Sequence, residues 1–251
     1  MIETITLYDI PSPIVPGIAW SPNAWKVRYA LNYKGLPHKT EWVEYPDIKD
    51  KCIELGIEPT STRSDGSLYY SIPAIYDPNT KSSIADSYRI VLYLERTYPN
   101  TPRLMPKGTE ALQSFPLYSH AMGPDIPILK FNILPTFRLL NPRSQEFYRS
   151  VREKIHRVKL EEIEPKGEKA EVMWKRVKES YDKLDGYYRL SGGPYLMGET
   201  LSYVDIAIAS LSAWIRSLHG KDSDKWKDII SWNDGRWGRL VESLEKYATI
   251  N

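Results

Sequence analysis

The chain has 251 residues, of which 41% are hydrophobic and 26% are charged, a composition typical of one large or two modest globular domains. Lysine and arginine number 34 against 32 aspartate and glutamate residues, and this balance argues against a nucleic-acid-binding surface. The single cysteine excludes an intramolecular disulfide and a cysteine-rich zinc site, and no apolar run approaches the ~20 residues of a membrane helix. We therefore expect a cytoplasmic protein without nucleic-acid or membrane partners.

The first 98 residues have the pattern of a small α/β domain. Thr4–Tyr8 is a short β-type run, a loop with three prolines follows, and a helix is predicted from Pro22 to about Tyr33. Alternation predicts a strand over His38–Tyr45, and residues 58–67 have the composition of a loop. The remaining predicted elements are a short helix at 47–55, strands at 71–77 and 81–85, and a helix at 86–98. The predicted order is β-α-β-α-β-β-α.

Beyond residue 98 the β-type runs disappear. Residues 99–107 contain three prolines and predict a linker, and residues 108–251 predict an all-helical domain. The mixed charges between Arg152 and Glu171 are typical of a solvated helix face. The candidate helices of this domain cover 109–122, 124–140, 143–163, 168–191, 203–219 and 234–247.

Ser21-Pro22 joins the first loop to the first predicted helix. Ser21 is a favourable N-cap, because its oxygen can accept a hydrogen bond from a free backbone N–H, and proline suits the first helical position. Capping leaves the hydroxyl proton unused at the positive end of the helix dipole. The pair is therefore either a helix cap alone or a cap that also binds an anion such as a thiolate.

Two further dipeptides stand at the ends of predicted elements. Ile72-Pro73 lies between a loop and a strand, and an X-Pro bond considered alone is more often trans than cis. Proline here indicates an irregular or edge strand, which leaves the backbone of Ile72 available to an extended partner. Asp86-Ser87 opens a helix, either as a cap alone or as a site for a ligand ammonium at Asp86 and a ligand carboxylate at Ser87.

A fourth pattern stands in the helical part of the chain. Ser202 is followed three residues later by Asp205, and an apolar helix begins there. This spacing is a capping box in which each side chain satisfies a backbone N–H at the helix start. Its role is in folding rather than in chemistry.

In this order and spacing, the four patterns resemble those of the cytosolic glutathione transferase family over nearly the whole chain. The resemblance implies a thioredoxin-like N-terminal domain, 1–98, and an all-α C-terminal domain, 108–251. The segment Ser21–Lys26 is similar to the Cys-Pro-aromatic-Ala-x-Arg segment of omega-type members, with serine in place of cysteine. Together with WKVRYALNYKGLPHKTEWVEY, it most resembles the etherase-related fungal class called FuA.

The resemblance also implies roles for residues of the N-terminal domain. Ser21 would donate its proton to the sulfur of glutathione, the co-substrate, and no metal is implied. The backbone of Ile72, before a cis Pro73, would pair with the cysteinyl part of the tripeptide. Asp86 and Ser87 would hold its γ-glutamyl end.

Asn23 and Lys26 follow Ser21 in the first turn of the same helix. They are further candidates for the glutathione site, and the alternative for both is an ordinary position on the helix surface.

The resemblance further implies an acceptor site beside the sulfur, between the first loop and the first C-terminal helices. From the loop we expect Pro13 and Trp20 to line it, and from the helix Phe115, Tyr118 and Met122, which are three to four residues apart. The alternative is that these side chains pack between the domains.

Three functions follow from the resemblance. The first is a transferase that attacks small aromatic or hydrophobic electrophiles, by conjugation, peroxide reduction or ether cleavage, as in detoxification. The second is a ligandin that binds aromatic compounds with little turnover, which the 18 tyrosines and 8 tryptophans favour. The third is a relative that has lost the thiol site, and Ser21, Ile72-Pro73 and Asp86-Ser87 argue against it. A homodimer is implied in each case.

Overall fold

The computed structural model describes residues 2–14, 19–63, 65–114 and 128–251. Its strands are β1 (Ile5–Asp9), β2 (His38–Trp42), β3 (Ser61–Thr62), β4 (Leu68–Tyr69), β5 (Ala74–Asp77) and β6 (Ser82–Ala85). Its helices are α1 (Pro22–Tyr33), α2 (Ile48–Glu54), α3 (Ser87–Thr97), α4 (Ile128–Leu139), α5 (Pro142–His156), α6 (Leu160–Ile163), α7 (Gly167–Ser191), α8 (Tyr203–His219) and α9 (Asp224–Ser243). Short 3-10 turns lie at Tyr45–Asp47 and Glu245–Tyr247.

A four-stranded mixed sheet forms the centre of the N-terminal part. Its strand order is β2-β1-β5-β6, with β1 parallel to β2 and antiparallel to β5. Successive side chains of β1 point to opposite faces of the sheet, so Ile5 and Leu7 pack with α1 and α3 while Tyr8 packs in a second cluster with residues of α4, α5 and α6. Helices therefore cover both faces, and the expected α/β thioredoxin-like part followed by a helical part is confirmed.

The stretch predicted as a loop at 58–67 contains a small hairpin. Ser61 pairs with Tyr69 and Thr62 pairs with Leu68 in a two-stranded sheet of β3 and β4. The connecting turn contains Gly66 at φ 80°, a conformation that glycine adopts without steric cost. Among the described residues of 58–67, the loop prediction is wrong only at Ser61 and Thr62, and the Asp-Gly pair in the turn is the local signal that indicates the hairpin.

The helical part departs from the prediction in three places. The helix expected over 143–163 ends at His156, because Arg157 adopts φ 58° and its N–H closes the last turn on the carbonyl of Glu153 at 2.8 Å. Helix α9 begins at Asp224, ten residues before the predicted start, and is kinked between 232 and 235. Residues 110–114 form turns and bends rather than a helix, and the rest of that predicted helix lies outside the described residues.

The capping box of α8 holds a buried carboxylate. Asp205 accepts hydrogen bonds from the backbone N–H and the hydroxyl of Ser202, at 2.8 and 2.6 Å. It also accepts from the N–H of Leu196 at 2.8 Å and from the hydroxyl of Tyr188 at 2.6 Å. One side chain therefore joins the start of α8 to the end of α7 and to the turn between them.

Within the described residues, no helix combines the length and the apolar character that crossing a membrane requires.

Candidate active site

The sheet brings the predicted site residues to one edge. Helix α1 begins after the loop that leaves the carboxyl end of β1, and β5 begins at that same end because Tyr8 pairs with Ala74. Strand β6 ends there as well, since Ala74 also pairs with Ala85. The residues just outside these paired positions, at the start of α1, before β5 and after β6, therefore gather at one edge of the sheet.

Ser21 is the N-cap of α1 and is almost fully buried. Its oxygen accepts from the N–H of Ala24 at 3.5 Å, a long cap, and Pro22 occupies the first helical position as predicted. This bond uses an oxygen lone pair and leaves the hydroxyl hydrogen as a donor. The hydroxyl stands at the N-terminus of a 12-residue helix, where the dipole favours negative charge.

Asn23 and Lys26 lie on one face of the first turn of α1. The ammonium of Lys26 donates to Oδ1 of Asn23 at 2.8 Å, and the lysine is only 5% exposed. Burial lowers the pKa of Lys26 to about 8, an effect that the carboxylate of Asp86 partly offsets. A positive charge therefore lies in the wall of the site, five residues after Ser21 in the sequence. Its burial lowers the free energy of unfolding.

Replacing Lys26 with methionine is expected to raise the free energy of unfolding at neutral pH by roughly 3 kcal/mol. The pKa of Lys26 is about 8 when folded and near 10.5 when unfolded, so the burial penalty is fully present below pH 8. Between pH 8 and 10.5 the unfolded chain binds more protons at Lys26 than the folded chain does, so the free energy of unfolding of wild type rises with pH. The difference in this free energy between wild type and Lys26→Met therefore becomes smaller. Urea unfolding at pH 7 and 9.5 measures this.

The exposed Lys49, which also lines the site, provides the matched control. Lys49→Met removes the same charge from a solvated position and so controls for the loss of a lysine charge from the site. A difference between wild type and Lys26→Met that stays constant from pH 7 to 9.5 would contradict the assignment of the burial penalty to Lys26.

Pro73, Asp86 and Ser87 form another part of the cavity wall. The Ile72–Pro73 bond is cis, and the carbonyl of Pro73 accepts from the N–H of Asp86 at 3.2 Å. Asp86 has φ 77°, a value unusual for a residue other than glycine, and it caps α3 through bonds from the N–H groups of Tyr88 and Arg89. Such strained backbone is concentrated at functional sites. The hydroxyl of Ser87 lies 3.2 Å from that of Tyr203 in α8.

One cavity of about 990 Å³ joins these walls. All the residues predicted for the glutathione site line it, namely Ser21, Asn23, Lys26, Ile72, Pro73, Asp86 and Ser87. Its volume lies at the upper end of the range of roughly 300–1,000 Å³ typical of small-molecule sites. The arrangement offers a hydroxyl and a helix dipole to one anion, and a carboxylate and a hydroxyl to a ligand's polar end.

The residues predicted for the acceptor site are placed differently. Trp20 is 2% exposed in a cluster with Ile10 and Ile133, between the two parts of the chain, and does not line the cavity. Pro13 is exposed and does not line it either. The other three predicted residues, Phe115, Tyr118 and Met122, lie outside the described residues.

Several segments of the cavity wall were missed by the sequence analysis. They include residues 45–49, the β3–β4 hairpin with the residues after it, a face of α5 and the start of α8. Tyr148, Val151, Arg152 and Ile155 stand at positions i, i+3, i+4 and i+7 and so share that face, a periodicity that was visible in the sequence. The interpretation of the charged run from Arg152 as a solvated face is wrong for Arg152, which lines the cavity. No group of metal-ligating side chains occurs within the described residues.

Comparisons with known proteins agree over both parts of the chain. Residues 20–97 match the glutathione S-transferase N-terminal domain, and residues 111–247 match the glutathione S-transferase C-terminal domain. The glutathione S-transferase-like protein ustS of Aspergillus flavus is 30% identical over 256 residues, which cover 95% of this chain and 90% of that protein.

Solved structures give the same result at higher identity. A glutathione S-transferase of Ceriporiopsis subvermispora, crystallised in complex with glutathione, is 41% identical with a TM-score of 0.93, and the match covers 99% of each chain. The glutathione transferase GSTFuA3 of Phanerochaete chrysosporium is 38% identical with a TM-score of 0.92, and the match covers both chains completely.

Proposed function

We propose that this chain, which belongs to the glutathione S-transferase family, binds glutathione in the 990 Å³ cavity and activates the glutathione thiol through Ser21. The similarity to the fungal FuA class, predicted from the segment around Ser21, is confirmed by the solved relatives. The observation that carries the proposal is that the buried hydroxyl of Ser21 stands at a helix N-terminus in the cavity wall.

Simple energetics support Ser21 as the activating group. A free thiol has a pKa of about 8.5, and lowering it by two units requires about 2.7 kcal/mol of preferential stabilisation of the thiolate. A hydrogen bond to a charged group contributes about 1.5–3 kcal/mol, and a helix N-terminus contributes up to ~1 kcal/mol. The hydroxyl of Ser21 and its helix therefore suffice, and no general base is required.

In this proposal, further groups of the cavity wall bind the rest of the tripeptide. The carboxylate of Asp86 binds the ammonium of the γ-glutamyl end, and the hydroxyl of Ser87 with the N-terminus of α3 binds its carboxylate. The backbone of Ile72 pairs with the cysteinyl part. The buried Lys26, bonded to Asn23, adds positive charge to a wall that faces an anionic ligand.

The activated thiolate then attacks a small aromatic or hydrophobic electrophile, by conjugation, peroxide reduction or ether cleavage. A second candidate is a ligandin with little turnover. The apolar side chains that line the cavity and remain exposed, such as Leu68 and Ile155, favour binding of this kind.

Two measurements on the same samples separate these functions. Glutathione binding is followed by calorimetry, and glutathione consumption is followed with 1-chloro-2,4-dinitrobenzene and a panel of aromatic electrophiles. Turnover with binding supports the transferase. Binding of glutathione and of aromatic compounds without turnover supports the ligandin. Failure of glutathione to bind contradicts the assignment of the cavity in both.

We also propose a homodimer, as the family resemblance implies. Light scattering at micromolar concentration is expected to give twice the 29.0 kDa of one chain. A mass equal to one chain under these conditions contradicts the homodimer.

A further inference from the structure

Tyr203 of the helical part lies at the wall that the proposed function assigns to the γ-glutamyl end of glutathione. Its phenol oxygen is 3.2 Å from Oγ of Ser87, and the two residues are the first of α8 and of α3. Both line the cavity, and their exposed fractions are 6% and 9%. A hydrogen bond therefore joins the two parts of the chain within the cavity wall, where little solvent competes for it.

The position of Tyr203 is fixed by its backbone and by its ring. Its N–H donates to the carbonyl of Leu104 at 2.8 Å, and the N–H of the next residue, Val204, donates to Oε1 of Gln113 at 3.0 Å. The centre of its ring lies 5.6 Å from that of the Tyr88 ring, with the planes 59° apart. The phenol is therefore held in place before a ligand binds.

The side chain of Asp86 already uses two N–H groups at the start of α3. Its Oδ1 accepts from the N–H of Tyr88 at 3.1 Å and from that of Arg89 at 3.0 Å. Backbone N–H groups at a helix start are the usual partners of a bound carboxylate. Because Asp86 satisfies these two groups, a ligand carboxylate at this position relies mainly on the hydroxyl of Ser87.

The direction of the bond between Ser87 and Tyr203 follows from the charge of such a ligand. A carboxylate only accepts hydrogen bonds, so Ser87 has to donate its single hydroxyl hydrogen to it. One arrangement then remains for the other bond, in which the phenol O–H of Tyr203 donates to Oγ of Ser87. Hydrogen bonds in such a chain polarise one another, so the phenol strengthens the donor that meets the ligand.

We propose that Tyr203 is a positioning residue for the α-carboxylate of the γ-glutamyl group, and that it acts by donating a hydrogen bond to Ser87, which orients and polarises the hydroxyl of Ser87. The inference rests on the proposed function, which assigns glutathione to this cavity. It adds a residue of the helical part to a wall otherwise built from the N-terminal part. Recognition of the α-carboxylate then depends on the contact between the two parts.

Calorimetry with two ligands tests this role. The ligands are glutathione and 4-aminobutanoyl-cysteinylglycine, which is glutathione without the α-carboxylate of its γ-glutamyl group. Each is titrated to millimolar concentration into wild type, Tyr203→Phe, Ser87→Ala and the double variant that carries both changes. Tyr203→Phe removes the hydroxyl and keeps the ring against Tyr88.

Tyr188→Phe is the matched control for the loss of a buried phenol. Its hydroxyl donates to Asp205 at 2.6 Å in the helical core, and it does not line the cavity. Circular dichroism verifies that each variant is folded. Thiolate absorbance of bound glutathione against pH is recorded for wild type and Tyr203→Phe, and it reports on the thiol at Ser21 separately from the γ-glutamyl end.

We expect Tyr203→Phe to raise the Kd of glutathione about three- to tenfold and to change that of the analogue less than twofold. Ser87→Ala raises the Kd of glutathione about ten- to a hundredfold. The double variant binds glutathione as weakly as Ser87→Ala, because Tyr203 acts through Ser87. Tyr188→Phe binds both ligands as wild type does, and the absorbance curve of Tyr203→Phe superimposes on that of wild type.

Three results would overturn the role of Tyr203. They are unchanged glutathione binding in Tyr203→Phe, equal loss of glutathione and of the analogue in that variant, and a double variant weaker than Ser87→Ala by the full factor of Tyr203→Phe. Each of them leaves the proposed function standing, provided that wild type binds glutathione. Wild type that does not bind glutathione overturns the proposed function, and the role of Tyr203 with it.

Discussion

Replacing Asp205 with alanine is expected to lower the free energy of unfolding by about 4 kcal/mol or more. The carboxylate accepts four hydrogen bonds, from the N–H and hydroxyl of Ser202, the N–H of Leu196 and the hydroxyl of Tyr188. Alanine leaves these donors without an acceptor in a region closed to solvent. Each buried group left unsatisfied costs about 1–3 kcal/mol, and the shortened side chain leaves a cavity as well.

The measurement is urea unfolding followed by tryptophan fluorescence, with Asp222→Ala as the matched control. Asp222 is an exposed aspartate in the turn after α8, and its substitution is expected to change stability by less than ~0.5 kcal/mol. If Asp205→Ala insolubility prevents equilibrium measurements, Ser202→Ala, which removes the hydroxyl alone, is expected to cost about 1–2 kcal/mol. Loss of less than 1 kcal/mol in Asp205→Ala would show that the box does not support the helical core.

The parts of the fold and site that local chemistry determines could be predicted. Ser21 is the N-cap of α1, Asp86 is the N-cap of α3, and Ser202 with Asp205 forms the capping box of α8. In each case the partners lie within four residues of one another, so the pattern was visible in the sequence. The residues expected at the glutathione site all line one cavity for the same reason, since each is fixed at the end of a strand or helix.

The rest depends on contacts between segments distant in the sequence. The N–H of Tyr45 donates to the hydroxyl of Ser144 at 2.9 Å, and Lys154 pairs with Asp65 of the hairpin turn at 3.3 Å. These contacts orient one face of α5 towards the cavity. The residues next to Arg152 in the sequence do not indicate which face of the helix this is. Trp20 shows the converse, because its loop was expected to face a ligand, whereas its side chain is buried in a cluster that includes Ile133.

Replacing Ser21 with alanine is expected to reduce turnover near neutral pH about ten- to a hundredfold, with recovery as the pH is raised. Without the hydroxyl donor, the thiol pKa of bound glutathione rises by about one to two units, each unit corresponding to 1.36 kcal/mol. The thiolate fraction at neutral pH falls in proportion, whereas at a pH above the raised pKa the thiol ionises without assistance. The measurement is thiolate absorbance of bound glutathione against pH, in wild type and in Ser21→Ala.

Ser223 provides the control for the loss of a helix cap. Its hydroxyl oxygen accepts from the N–H of Trp226 at 3.3 Å at the start of α9, and it does not line the cavity. Ser223→Ala and Ser21→Ala are each expected to cost ~1 kcal/mol of stability, but only Ser21→Ala shifts the absorbance curve. Superimposable curves for wild type and Ser21→Ala would assign Ser21 to capping alone and direct attention to Asn23 or a backbone N–H.

The companion variant Ser21→Cys tests the same position with a different donor. A thiol at a helix N-terminus acquires a lowered pKa, so the cysteine becomes a thiolate and a nucleophile instead of a hydrogen-bond donor to the sulfur of glutathione. Conjugation is then expected to be lost, and when glutathione disulfide is supplied the thiolate at position 21 attacks its S–S bond, which forms a mixed disulfide and releases one glutathione thiolate. Because Cys52 is buried and burial raises its pKa, a glutathione adduct detected by mass spectrometry of the folded variant reports on position 21. Conjugation retained in Ser21→Cys would show that the thiolate is stabilised by the helix N-terminus and Lys26 without a hydroxyl donor.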